Sequence, residues 1–177
     1  MIGAVDSFCL GASNRLAAFL QERCALTMPM ILRQAATATI LATTFAIIAT
    51  ALMRGPIYLV ITLVFGAITI GAFWKLLTRY NRDADKDWTS DLARDYMVRA
   101  IGATEGQRRM REIGIILAVI SLALTFMVVQ MRPFDLVDLT MIALVACTMM
   151  HLYLSCAEPR PPGSGRRDMK TAFAGSR

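Results

Sequence analysis

The sequence predicts an all-α, polytopic membrane protein with four transmembrane helices in two antiparallel hairpins, an N-terminal amphipathic helix and a cytoplasmic helical linker. Three observations predict it. Residues 34–53, 55–74, 113–131 and 139–157 each run 19 or 20 positions without Asp, Glu, Lys or Arg. A helix needs about 20 apolar residues to cross a hydrocarbon core of roughly 30 Å. The connections within each pair, residues 54–56 and 132–138, are too short for anything but a turn between neighbouring antiparallel helices. Finally, of 19 Lys and Arg residues, 17 fall before, between and after the two pairs, and only Arg54 and Arg132 lie in the short connections. Basic loops stay on the cytoplasmic side, so both termini and the central segment are expected there.

The segments follow from this reading: 1–32 interfacial, 33–75 the first hairpin, 76–112 the charged linker, 113–157 the second hairpin, and 158–177 a disordered basic tail. The tail is rich in Pro and Gly, a composition that cannot bury enough apolar surface to fold. The two hairpins read alike at their edges, since Arg33 precedes Arg54 by 21 residues and Arg111 precedes Arg132 by 21. The N-terminal 25 residues carry Asp6 and Glu22 and lack a basic leader, so a cleavable signal peptide is not expected.

In the first segment, Val5, Phe8, Ala12, Leu16, Phe19 and Leu20 share one helical face, with Ser7, Asn14, Gln21 and Glu22 opposite. Such a helix can lie in the membrane interface and feed the first span after Pro29. In the linker, a helix is expected from an N-cap near Ser90 to about Gly102, and Thr104 with Gln107 suggests a capping box opening the third span.

Lipid is as apolar as leucine, so membrane helices associate through small residues that let backbones approach. Such a seam is offered by Ala35, Thr39, Ala42 and Ala46 in the first span and by Gly66 and Thr69 in the second. It continues with Gly114, Ala118, Ser121 and Thr125 in the third and Ala143 and Cys147 in the fourth. These stripes are expected to converge on the axis of a four-helix bundle or on a dimer seam.

Candidate chemistry is sparse. Asp83, Asp85 and Asp87 have the alternate spacing of a calcium loop, but Trp88 stands where the turn needs Gly and Arg94 where a bidentate Glu belongs. The neighbouring Arg79, Arg82, Lys86, Arg94 and Arg99 sit at helical offsets that suit a salt-bridged surface helix instead. His151, the single histidine, lies inside the fourth span with Cys147 four residues before it. Thiolate and imidazole together would suit copper or haem. One imidazole cannot supply two, though, and a neutral histidine can simply hydrogen-bond a threonine on the next helix. The four cysteines are expected reduced, and Arg108, Arg109 and Arg111 are expected to anchor topology at the third span.

No cofactor is expected, and no phosphate loop, nucleophile elbow or HExxH occurs. No span carries a carboxylate or lysine, the usual equipment of a proton- or cation-coupled carrier. The expectation is a non-catalytic accessory or interaction subunit of a bacterial inner membrane. Its expected partners are membrane lipids, including anionic headgroups, and a protein partner or second copy, not nucleic acid. The alternative is a small oligomeric channel, carrier or phage-type permeabilising protein, for which Thr39, Thr43 and Thr50 would line a polar interior.

Overall fold

The computed structural model describes residues 2–131 and 133–163, and every regular element among them is an α-helix. These are α1 (Ile2–Glu22), α2 (Met28–Met53), α3 (Pro56–Ala84), α4 (Ser90–Gly106), α5 (Arg108–Met131) and α6 (Leu136–Leu154). Helices α2, α3, α5 and α6 are long and apolar enough to cross a membrane. The fold is that of an all-helical, multi-pass membrane protein.

Helix boundaries follow local chemistry more than the apolar runs. Pro29 and Pro56 stand in the first turns of α2 and α3, where a missing N–H costs nothing and the fixed φ suits the helix. Helix α2 begins six residues before its apolar run and passes through Arg33, and α3 continues ten residues past Trp74. Thr89 caps α4 by accepting the Leu92 N–H at 3.3 Å. At α6, Asp135 and Asp138 cap each other's backbone at 3.1 and 3.2 Å. The box expected at Thr104 and Gln107 does not form. Helix α4 runs on to Gly106, Thr104 donates its hydroxyl to the Ala100 carbonyl at 2.7 Å, and Gln107 alone separates α4 from α5.

Helix α2 is the centre of the packing, with α3 on one side and α6 on the other, while α5 packs on α6. The reason lies in its composition: Ala35, Ala36, Thr39, Thr43, Ala46, Ala49 and Thr50 are buried on more than one face, and small residues permit close approach on each side. Gly66 of α3 meets α2 so closely that a Cβ there would stand 2.6 Å from Ile47 Cδ1. Of the expected seam, Ala35, Thr39, Ala46 and Gly66 are buried, while Ala42, Thr69, Gly114, Ala118, Ser121, Thr125 and Cys147 are half-buried. Ala143 is exposed and takes no part in the packing within this chain. The stripes do not converge on one axis, because α5 seats on α6 and α1 instead of completing a ring around α2. Large apolar side chains such as Ile57, Phe65, Leu117 and Phe126 point outward, as lipid-facing surfaces should.

The densest core lies at the basic end of the helices. Ala17 of α1, Met28, Ile31 and Leu32 of α2, Tyr80 of α3, Leu92 and Tyr96 of α4, and Leu154 of α6 form one buried cluster there. None of the extramembrane pieces is large enough to hold a core alone; together with the helix ends they build one. Residues 158–163, the start of the expected tail, run beside this cluster and are held to α1 by hydrogen bonds. Gln21, fully buried, donates to the Glu158 carbonyl at 3.3 Å and accepts the Arg160 N–H, and the Gly163 N–H reaches the Gln21 carbonyl at 2.8 Å. The rest of the expected tail, 164–177, lies outside the described residues.

Helix contact at Gly66 can be tested against Gly71, where an added Cβ meets nothing within 4 Å. Overpacking a tight contact costs about 1–3 kcal/mol. Gly66→Leu is therefore expected to lower the thermal midpoint in detergent. Gly71→Leu should hold or raise it, because a helical glycine costs up to about 1 kcal/mol.

Candidate functional site

At the basic end, four elements meet on a single guanidinium. Arg111, in the first turn of α5, is 1 % exposed and is the largest fully buried side chain among the described residues. Its Nε donates to Asp6 Oδ1 at 3.0 Å and its Nη2 to Asp6 Oδ2 at 3.3 Å, a two-pronged pairing with α1. The remaining donors go to the Ala103 carbonyl at 3.1 Å, the Thr104 carbonyl at 3.0 Å and the Cys156 sulfur at 3.5 Å. An arginine has five N–H donors, and all five are engaged. Tyr153 of α6 adds its hydroxyl to Asp6 Oδ1 at 2.8 Å.

The geometry explains why a charge can stand there. Helix α4 ends at Gly106, where backbone donors run out; the Ala103 carbonyl accepts the Gln107 N–H at 3.0 Å and takes Arg111 as a second donor. A cation at a helix C-terminus satisfies both the carbonyls and the helix dipole. The carboxylate of Asp6 balances the charge, and charge-assisted forks are among the stronger hydrogen bonds. Burial pushes the Asp6 carboxyl up, but the hydrogen bonds from Arg111 and Tyr153 outweigh it and hold the group below its usual 3.8. Arg108 and Arg109 are exposed, and Arg108 pairs with Glu112 at 3.0 Å. Arg111 is thus separated from its neighbours in role: it is a structural hub, where the sequence suggested a topology anchor.

A second polar cluster joins α3 to α4. Asp83 turns inward, accepting the Tyr96 hydroxyl at 3.0 Å and the Lys86 ammonium at 3.1 Å, with Arg99 at 3.6 Å. Burial, with the Asp83 charge and hydrogen bond beside it, raises the Tyr96 phenol above its usual 10.0. Arg99 stacks on the Tyr96 ring, 4.8 Å from its centroid. Asp85 and Asp87 are exposed, so the three aspartates point apart. No group of three or more His, Cys, Asp or Glu side chains that could hold a metal occurs among the described residues.

His151 is buried in the span, edge-on to Phe73 with ring centroids 4.9 Å apart and 5.9 Å from Tyr80. Its Nε2 has no hydrogen-bond partner among the described residues. The neighbour is an aromatic pair instead of the expected threonine. Cys147 is half-buried and free. Thr39, Thr43 and Thr50 donate to the carbonyls of Ala35, Thr39 and Ala46 at 2.7–3.0 Å, within their own helix.

At the opposite end, Arg54 between α2 and α3 pairs with Asp135 at the start of α6, 2.8 Å apart. This contact links the two short connections. The site sequence reasoning missed is the Asp6–Arg111–Tyr153 cluster. The partners lie 105 and 147 residues apart, and the one available signal was Asp6 itself, an acid on the otherwise apolar and small-residue start of α1. No family model, curated protein or solved structure matches this chain.

Breaking a buried ion pair by removing one partner costs about 3–5 kcal/mol. Asp6→Asn should therefore lower stability by that order, measured by thermal unfolding in detergent. The lowered carboxyl fixes the pH sign. Asp6 stabilises the fold fully above its unfolded value near 3.8 and loses that contribution as pH falls through the lower folded value. Wild type should lose stability below that point, and Asp6→Asn should lack that part of the acid response.

Proposed function

We propose that this is a non-catalytic, multi-pass inner-membrane protein that serves as an accessory or interaction subunit, docking a protein partner on α4 at the cytoplasmic face. In this reading α2 with α3 and α5 with α6 form two helical hairpins, N-in and C-in, and α1 lies in the interface as an amphipathic helix. The charge split between long segments and short connections supports that orientation. The pairing of Arg54 with Asp135 supports hairpins set side by side.

The observation that carries the reading is the two-faced character of α4. Leu92, Tyr96 and Ala100 are buried against the core. The other face presents Val98 and Ile101, 63 % and 54 % exposed, beside exposed Arg94 and Glu105. An apolar centre with a charged rim is the anatomy of a protein interface. Three exposed carboxylates, Asp91, Asp95 and Glu105, argue against laying this face on an anionic membrane. The permeation reading draws less support. Thr39, Thr43 and Thr50 are buried and turned onto their own backbone, which leaves their hydroxyls little to offer a passing solute.

The test is site-directed photocrosslinking in the native membrane. A photoreactive residue at 98 or 101 should give a discrete protein adduct, and one at Gly71 should give none. Ile101→Asp should remove the adduct at 98 while leaving membrane insertion intact. No adduct at either α4 position, combined with solute flux in liposomes lost on Thr39→Val, Thr43→Val and Thr50→Val together, would give the case to a permeation protein.

A further inference from the structure

A cavity of about 280 Å³ opens at the basic end between α2, α3, α4 and the end of α6. Arg79 and Tyr80 of α3 line it, with Tyr96, Arg99 and Gln107 facing across and Leu32 beneath. Two arginines and no carboxylate contribute to its wall. We infer that this cavity is a binding site for a phosphate-type anion, supplied by the headgroup of an anionic phospholipid.

Two features support the anion. Arg79 and Arg99 bring positive charge to the wall, and no carboxylate lines the cavity itself. Arg99 is not free of charge partners, since Asp83 and Asp95 stand 3.6 and 3.7 Å away; those distances are too long for hydrogen bonds. Its face is fixed by stacking on Tyr96 and its two Nη groups are turned toward those carboxylates, so Arg99 contributes to the wall at longer range and Arg79 is the direct donor. Arg79 forms no ion pair or hydrogen bond among the described residues, and neither does the hydroxyl of Tyr80.

Depth supports the lipid. Exposed Tyr58 and Trp74 on α3 stand 16 residues apart, about 24 Å along a helix, in the manner of aromatic residues at the two interfaces. Exposed Lys75 follows at once. Arg79 lies four residues further, about 6 Å along the axis. The headgroup layer is roughly 5–7 Å deep on each side, so Arg79 stands at the level of lipid phosphates.

The test uses native mass spectrometry of the full-length, delipidated protein in detergent. It is titrated with dioleoyl phosphatidylglycerol or dioleoyl phosphatidylcholine, each with and without inorganic phosphate. Wild type should bind one phosphatidylglycerol about tenfold more tightly than phosphatidylcholine, whose choline cation opposes the arginines. Arg79→Gln and Arg99→Gln should each remove that tenfold preference. Arg94→Gln, on the outer face of α4, should keep it. Arg99→Gln can loosen α4, so Arg79→Gln, an exposed position with no ion pair to lose, carries the decision. Saturable binding or competition by inorganic phosphate, lost in Arg79→Gln, would uphold the phosphate site and show that a soluble anion can occupy it. Equal binding of the two lipids with no phosphate effect, or an unchanged Arg79→Gln, would overturn the proposal.

Discussion

The Arg111 guanidinium, buried and with every N–H engaged, is the contact on which the basic end of this molecule depends. It draws α1 through Asp6, the end of α4 through two carbonyls, and the end of α6 through Cys156. Each partner solves a problem of another. The carbonyls at the end of α4 gain charged donors, the arginine gains a counter-charge, and the carboxylate gains hydrogen bonds that replace its water. A charged residue one turn before an apolar span would ordinarily reach outward to water. Here the break at Gln107 turns α4 back over the side chain and makes reaching inward possible.

The same contact accounts for the orientation of α1. In a water-soluble protein an amphipathic helix buries its apolar face. In α1 the buried residues are Asp6, Ser13, Ala17 and Gln21, while Phe8 and Phe19 are 76 % and 56 % exposed. The polar face turns to the protein because the protein offers Arg111, Tyr153 and the backbone of residues 158–163 as partners. The apolar face turns outward, an orientation that suits the interfacial placement of α1 proposed above, where aromatic side chains are at home. The helix is thus tied down by polar contacts and leaves its large apolar side chains exposed.

The spans were legible because a bilayer imposes one simple demand, an uncharged stretch of sufficient length, and that demand is local in sequence. Their ends were less so. Arg33 and Arg79 sit inside helices that continue past the apolar run, since a charge ends hydrophobicity without ending a helix. Of the seam residues, Thr39 and Gly66 lie buried between helices while Ala143 is exposed, because small residues mark a possible contact without naming the side that is used. The expected box at Thr104 failed for a related reason: a capping pattern needs a chain break, and α4 had not yet ended. The polar clusters were illegible in principle. Nothing local in Asp6 or Arg111 records that they meet, and Asp83 differs from Asp85 and Asp87 only in which way the helix end turns it.

Hydrogen–deuterium exchange on Arg111→Gln measures this account most directly. If Arg111 holds the basic end together, the amides of α1 and of the last turns of α4 should lose protection, while those of α2 and α3, packed through Gly66, keep theirs. Unchanged exchange in α1 and α4, or a uniform rise across all six helices, would contradict the central role given to this residue.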